Sequence, residues 1–70
     1  MMQVTNSETR TYTLPDGRKY EYEFNYFRKM VYGRLYSQYG GLIAKESQAV
    51  WPWTKVLNPE QMLQKLLSKV

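Results

Sequence analysis

The chain has 70 residues, with ten Lys or Arg against six Asp or Glu, so its formal net charge at pH 7 is +4. It contains no Cys and no His, which excludes disulfides and Cys/His zinc sites as supports for the small core that a domain of this length can bury. Aromatic residues, 16% of the chain, are therefore expected to form much of that core. The sequence predicts a single domain over residues 1–70, in which the polar residues 1–8 form a flexible N-terminal arm.

The first predicted element is a β-hairpin over residues 9–24. Two runs of alternating residues flank Pro15 and Gly17, where Pro suits the first turn position and Gly suits a position with positive φ. If Leu14 pairs with Arg18, one face of the hairpin is aromatic and the other carries threonines and charges. An isolated hairpin is only marginally stable, so helices are expected to cover the aromatic face. That face consists of Arg10, Tyr12, Leu14, Tyr20, Tyr22 and Phe24.

A helix is predicted next, over residues 26–39. Asn25 can cap its start, and Gly40 or Gly41 provides the left-handed residue at which helices commonly end. Apolar side chains recur at four-residue intervals and are expected to pack on the hairpin. These side chains are Phe27, Val31, Leu35 and Tyr39.

The remaining predicted elements are short. Residues 42–50 suit a short helix, although their assignment is ambiguous, and the proline after Trp51 would end it because the residue before a proline resists helical geometry. Asn58, Pro59 and Gln61 then form a helix start, with a cap, a proline at the first position and a capping-box partner. The predicted fold class is therefore α+β, with an N-terminal β-hairpin packed against two or three short α-helices.

The net charge is concentrated in residues 24–45, which contain four cations, four tyrosines and no carboxylate. Because Tyr and Arg combine contact area with hydrogen bonding, and a surface without carboxylates attracts anions, this segment is typical of a binding surface. Two indoles further along the chain either cover the aromatic face of the hairpin or anchor a partner. The predicted partner-binding residues are Arg28, Lys29, Tyr32, Arg34, Tyr36, Trp51 and Trp53.

Three interpretations of this segment remain open: a protein interface, a nucleic-acid interface, and tyrosines that pack in the core beside solvated arginines. We favour a small non-enzymatic regulatory protein that binds a larger protein or protein–nucleic-acid assembly stoichiometrically. Such a protein would inhibit or modulate transcription or other nucleic-acid machinery, as virus-encoded regulators do. The alternative is direct DNA or RNA binding through the basic tyrosine-rich helix, although four cations make a small phosphate footprint. A homodimer is compatible with both.

Catalysis is not predicted. Without His and Cys the chain lacks the commonest general base and the thiolate nucleophile, and it shows no glycine-rich loop and no cluster of metal ligands. Glu21 and Glu23 would point the same way on a strand, but a solvated strand face explains them better than a catalytic pair does. No cofactor, metal or membrane partner is expected, and the polar N-terminal segment without an export signal predicts a cytoplasmic location.

Overall fold

The computed structural model describes residues 7–70, which form one antiparallel β-sheet with a single α-helix on one face. The elements are β1 (Ser7–Thr13), β2 (Lys19–Asn25), β3 (Met30–Tyr36), β4 (Leu42–Ala49) and α1 (Pro59–Leu67). Each strand pairs with its neighbour in the sequence, so the sheet is a meander in which β1 and β4 are the edges. The arm predicted for residues 1–8 lies outside the described residues, except for Ser7 and Glu8, which belong to β1.

Two predicted elements are confirmed, and local signals encode both of them. The first hairpin has the predicted register, and the Leu14 N–H donates to the Arg18 carbonyl at 2.8 Å. Helix α1 follows Asn58, whose side chain accepts a hydrogen bond from the Gln61 N–H at 2.8 Å. The Gln61 side chain in turn accepts from the Asn58 N–H at 3.1 Å. These signals act over a few residues, so they operate regardless of what surrounds them.

The predicted fold class is wrong, because the molecule is mostly β: the segment predicted as the middle helix forms β3, and most of residues 42–50 forms β4. A four-residue interval is also a multiple of the two-residue repeat of a strand, so it does not distinguish the two structures. Val31 and Leu35 face the core in β3 as they would in a helix, and both are fully buried. Phe27 and Tyr39, the outer members of the same pattern, lie in turns and are exposed.

The predicted ends of the middle helix are instead the turns on either side of β3. The Asn25 side chain accepts a hydrogen bond from the Arg28 N–H at 2.8 Å, as a helix cap would, but the chain then reverses at Lys29, whose φ is 54°. Gly40 has the left-handed conformation expected of it, with a φ of 95°, and lies in the β3–β4 turn. Helix caps and turns share these bonds and dihedral angles, so the residue types alone fit either structure.

Within residues 7–70, the core between the sheet and α1 consists of six buried side chains, two of which are tyrosines. The Tyr20 hydroxyl donates to the Pro59 carbonyl, and the Tyr22 hydroxyl donates to the Leu57 carbonyl, each at 2.6 Å. Burial raises the pKa of both hydroxyls above the ordinary value of 10.0. The buried tyrosines therefore fasten the start of the helix to the sheet. The six residues are Tyr20, Tyr22, Val31, Leu35, Met62 and Leu66.

Gly33 lies where α1 comes closest to the sheet. A Cβ atom at this position would lie 2.4 Å from Met62 Cγ and 3.2 Å from Leu66 Cδ1, and the first distance is far inside van der Waals contact. A glycine in a strand interior often marks such a close approach. The missing side chain of Gly33 thus sets the distance between helix and sheet.

Gly33→Ala is expected to lower the free energy of unfolding by about 1–3 kcal/mol. Met62 is fully buried, so it cannot move aside without displacing its neighbours. Urea denaturation followed by circular dichroism measures the change. Gly41→Ala is the matched control, since a Cβ there would meet only Ser37 Oγ, at 3.6 Å. Equal stability of the two variants would contradict the close approach of α1.

Stability is expected to fall above pH 10, because unfolded tyrosines release their protons there while buried Tyr20 keeps its own. The folded-state pKa is raised, so the stabilisation is complete below pH 10 and is lost as the pH rises toward that pKa. Each proton retained in this way lowers the free energy of unfolding by about 1.4 kcal/mol per pH unit. Urea titrations between about pH 8 and pH 11 measure the slope. Tyr20→Phe should decline less steeply, and a parallel decline in both proteins would refute this origin.

Candidate functional site

The structure separates the predicted partner-binding residues into two groups. Tyr32, Arg34 and Tyr36 alternate along β3 and project from the sheet face opposite α1. The other four lie at one end of the sheet, where the β2–β3 turn meets the segment that follows β4. This second group comprises Arg28, Lys29, Trp51 and Trp53.

On the sheet face opposite α1, two glutamates neutralise the charge of Arg34. Arg34 Nη1 donates to Glu21 Oε1 at 2.8 Å, and Nη2 donates to Glu23 Oε1 at 3.1 Å. The guanidinium carbon also lies 5.5 Å from the centroid of the Tyr32 ring, within the range of a cation–π contact. These contacts hold Arg34 in place and balance its charge, so its first role is to bridge strands.

The lack of carboxylates in residues 24–45 therefore does not describe the folded surface. Glu21 and Glu23 precede this segment in the sequence, but the β2–β3 register places Glu21 directly opposite Arg34. Both carboxylates point the same way, as predicted, and the arginine lies between them. A charge balance that is counted along the chain misses such pairs, because strand register creates them.

Aromatic rings and cations are exposed together at the end of the sheet that contains the β2–β3 turn. The Val50 N–H donates to the Lys29 carbonyl at 2.9 Å and joins this turn to the segment after β4. Phe27 is 79% exposed and Trp53 is 81% exposed, so neither ring contributes to the core. We call this surface the aromatic end and define it as Tyr26, Phe27, Arg28, Lys29, Trp51 and Trp53.

Trp51 and Trp53 form an ordered pair on this surface. Their rings stack with a centroid distance of 5.9 Å and an interplanar angle of 8°. The Trp51 N–H donates to Thr54 Oγ1 at 2.8 Å, and the Thr54 N–H donates to the Trp51 carbonyl at 2.9 Å. A closed turn therefore fixes the backbone that carries the two indoles, and the rings contact each other. Both indoles remain mostly exposed, and α1 rather than an indole covers Tyr20 and Tyr22, although Trp51 lines a cleft with Phe24 of the same hairpin face.

Two shallow clefts border the aromatic end. The first has a volume of about 280 Å³, and Tyr26 and Trp51 are among its lining residues. The second has a volume of about 390 Å³, and Arg28 and Trp51 contribute to its lining. Lys29 borders both clefts. Each cleft thus combines apolar walls with a cation, an arrangement that suits a ring or an acidic side chain of a macromolecule.

The two cations of the aromatic end are not neutralised by the part of the chain that the structure describes. Arg28 and Lys29 are exposed, and within residues 7–70 neither lies within ion-pair distance of a carboxylate. Arg34, by contrast, contacts two carboxylates. The positive charge of this surface is therefore available to an anionic group of a partner.

Tyr26 and Phe27 belong to the aromatic end although the sequence did not identify them as binding residues. The pattern assigns Phe27 to the core, but residues 25–29 interrupt two alternating runs, which is typical of an exposed turn. The Tyr26 hydroxyl donates to Glu8 Oε2 at 2.8 Å, and this hydrogen bond raises the pKa of Tyr26. One ring of the surface is therefore held against β1.

Comparison of the sequence with protein-family profiles, with curated proteins and with solved structures gives no match. Within residues 7–70, no group of three or more His, Cys, Asp or Glu side chains is arranged to hold a metal ion. No helix in the same residues has the length and apolar character needed to cross a bilayer.

Arg34→Ala is expected to lower the free energy of unfolding by about 1 kcal/mol, because it leaves Glu21 and Glu23 side by side without their cation. Arg28→Ala, at an exposed arginine without such contacts, should change stability by less than about 0.5 kcal/mol. Urea denaturation at low and high salt measures both effects, and salt should reduce the first. Equal losses in the two variants would argue against the bridging role of Arg34.

Proposed function

We propose that this protein is a non-enzymatic binding module that docks through its aromatic end onto a larger protein assembly and inhibits or modulates it stoichiometrically. The observation that carries this proposal is the exposure of four rings beside two cations that have no carboxylate partner within residues 7–70. Centres of protein interfaces are enriched in aromatic residues and Arg. The aromatic end has this composition.

The exposed rings are apolar surface that the small core does not bury, so their burial does not stabilise the fold. Burying one large apolar side chain stabilises a protein by roughly 1.5–3 kcal/mol, yet Phe27, Trp51 and Trp53 remain 79%, 57% and 81% exposed. Tyr26 and Trp51 line one cleft and Trp53 stacks on Trp51, and exposed apolar surface clustered in this way typically marks an interaction site. A partner that covers the rings would remove them from water, and this supports a macromolecular ligand.

The order of the indole pair also favours binding. Association loses free energy when mobile side chains become fixed, at about 0.5–1.5 kcal/mol for each such side chain. Trp51 and Trp53 are already stacked on each other and held by the turn to Thr54. They therefore lose little freedom when a partner covers them.

The partner expected from this chemistry has an apolar recess for a ring and an acidic rim for Arg28 and Lys29. We propose transcription or other nucleic-acid machinery of the cytoplasm as the first assembly to test, because small non-enzymatic domains with one basic surface resemble virus-encoded regulators of such machinery. Self-association is a separate expectation that concerns the edges of the sheet.

Direct DNA or RNA binding is the second candidate function, and the exposed indoles favour it. Bases stack on aromatic side chains with about 1–3 kcal/mol for each base, and cations beside them contact phosphates. The basic tyrosine-rich helix on which this alternative first rested is absent from residues 7–70, so the contact would form at the aromatic end. Two unpaired cations and the nearby Glu8, which contacts Tyr26, make this the weaker candidate.

Immobilised protein is expected to capture a protein assembly from a nuclease-treated lysate of the native host. The component identified by mass spectrometry should then bind the purified chain directly. Trp53→Ala and Phe27→Ala should each weaken that binding by tenfold or more, which corresponds to the loss of one interface anchor of about 1.4 kcal/mol or more. Isothermal titration calorimetry, which does not depend on the tryptophan that Trp53→Ala removes, gives the affinity.

Tyr39→Ala is the matched control, because Tyr39 is an exposed ring in the β3–β4 turn, at the opposite end of the sheet. Equal affinity in all three variants would refute docking through the aromatic end. Labelled single-stranded and duplex oligonucleotides, titrated at two salt concentrations, test the second candidate. Tight binding that weakens steeply with salt, and that is lost in Trp53→Ala, would replace the protein partner with a nucleic acid.

A further inference from the structure

The two edge strands differ in whether side chains hydrogen-bond to the backbone groups that point away from the sheet. On β4, the Lys45 carbonyl accepts a hydrogen bond from Lys69 Nζ at 3.1 Å. The Ser47 N–H donates to Glu46 Oε1 at 3.1 Å, and Glu46 also pairs with Lys69 at 3.2 Å. Side chains therefore occupy backbone groups that an added strand would need, which is a common way to protect a sheet edge.

Strand β1 presents the other edge, and its outward groups can be assigned from the hairpin. The Leu14 N–H bonds to the Arg18 carbonyl, and residues along an antiparallel pair alternate between bonding to the partner strand and pointing away from it. Thr9, Thr11 and Thr13 consequently direct their N–H and carbonyl groups outward. No side chain within residues 7–70 hydrogen-bonds to those groups.

Helix α1 leaves β1 uncovered. It packs against β2, β3 and β4, and none of its Cα atoms lies within 8 Å of a Cα atom of β1, although Pro59, Glu60 and Leu63 line a cleft together with Tyr12 and Thr13. Residues 8–13 are all exposed as a result. The helix therefore leaves the outward edge of β1 open to an approaching strand.

The sequence of β1 is complementary to itself. Glu8 and Arg10 lie on the same face of the strand, one on each side of Thr9. When two β1 strands pair antiparallel about a two-fold axis at Thr9, Glu8 of each copy faces Arg10 of the other, and opposite charges across a strand pair stabilise it. An axis at Arg10 would instead place two arginines opposite each other, and an axis at Thr11 would leave Glu8 facing Leu14.

We propose that β1 is a homodimerisation edge, on which a second copy of this chain adds its own β1 antiparallel, with Thr9 at the two-fold axis. The two meanders then form one continuous eight-stranded sheet. Backbone hydrogen bonds at Thr9 hold the strands together, and two reciprocal Glu8–Arg10 pairs set their register. Glu8 also accepts a hydrogen bond from Tyr26 of the aromatic end, but the inference rests on the strand edge and stands or falls separately from the proposed partner.

Sedimentation equilibrium over a range of protein concentrations tests the association. The mass should rise from 8.4 kDa toward twice that value as the concentration increases. Thr9→Pro should abolish the rise, because proline removes an outward N–H while leaving the bonds between β1 and β2 in place. Thr9→Val keeps the N–H and should still dimerise. A monomer at every concentration, or a dimer unaffected by Thr9→Pro, would overturn the proposal.

Exchange of the two charges tests the register. Glu8→Lys and Arg10→Glu should each weaken dimerisation by tenfold or more, because each creates two like-charged pairs across the axis. The double variant E8K/R10E restores opposite charges and should recover most of the wild-type affinity. Failure of the double variant to recover, with both single variants folded, would exclude the register centred on Thr9.

Cysteine cross-linking tests the same axis without relying on affinity, and the chain has no cysteine of its own. Directly opposed residues in a hydrogen-bonded antiparallel pair have Cα atoms about 5.5 Å apart, a distance that a disulfide spans. Thr9→Cys should therefore form a covalent dimer under mild oxidation. Thr11→Cys should not, because Thr11 would face Ser7 of the second copy. Preferential cross-linking of Thr11→Cys would refute the axis at Thr9.

Discussion

The close contact between α1 and the centre of β3 determines the rest of the structure. Gly33 allows Met62 to lie against the backbone of the sheet, and the hydroxyls of Tyr20 and Tyr22 hold the residues that lead into the helix. Since the helix is fixed over β2, β3 and β4, β1 is left uncovered. The same attachment forces the segment between β4 and α1 to cross the end of the sheet, and this segment carries the indole pair.

The aromatic residues serve two purposes: some are buried in the core, and others remain exposed at the aromatic end. Tyr20 and Tyr22 bury their rings and use their hydroxyls to bind backbone carbonyls, so they act as core and as fastening at once. The rings of the aromatic end stabilise the fold little, because water surrounds most of their surface. A domain of this size has little stability in reserve, and the proposed docking function would account for rings kept outside the core.

Predictions from the sequence are correct where an element depends on interactions between nearby residues. They are wrong where an element depends on pairing with strands that are distant in the sequence. The hairpin turn and the cap at Asn58 involve residues within a few positions of each other, and both are found as predicted. β3 depends on pairing with β2 and β4, and its apolar spacing fits a helix equally well. The site divides in the same way: the exposed cations of the β2–β3 turn follow from composition, whereas the neutralisation of Arg34 requires the register that brings Glu21 opposite it.

Together, the proposed dimer and the proposed docking surface predict how many partner molecules one dimer binds. Ser7 lies opposite Asn25, so the N-terminal end of β1 is beside the aromatic end. Antiparallel pairing about Thr9 reverses one copy relative to the other, and the two aromatic ends then point in opposite directions along the strands. A dimer of this form leaves both surfaces open but cannot apply both to one flat target. It would bridge two partner molecules, so avidity toward a single partner molecule is not expected from it.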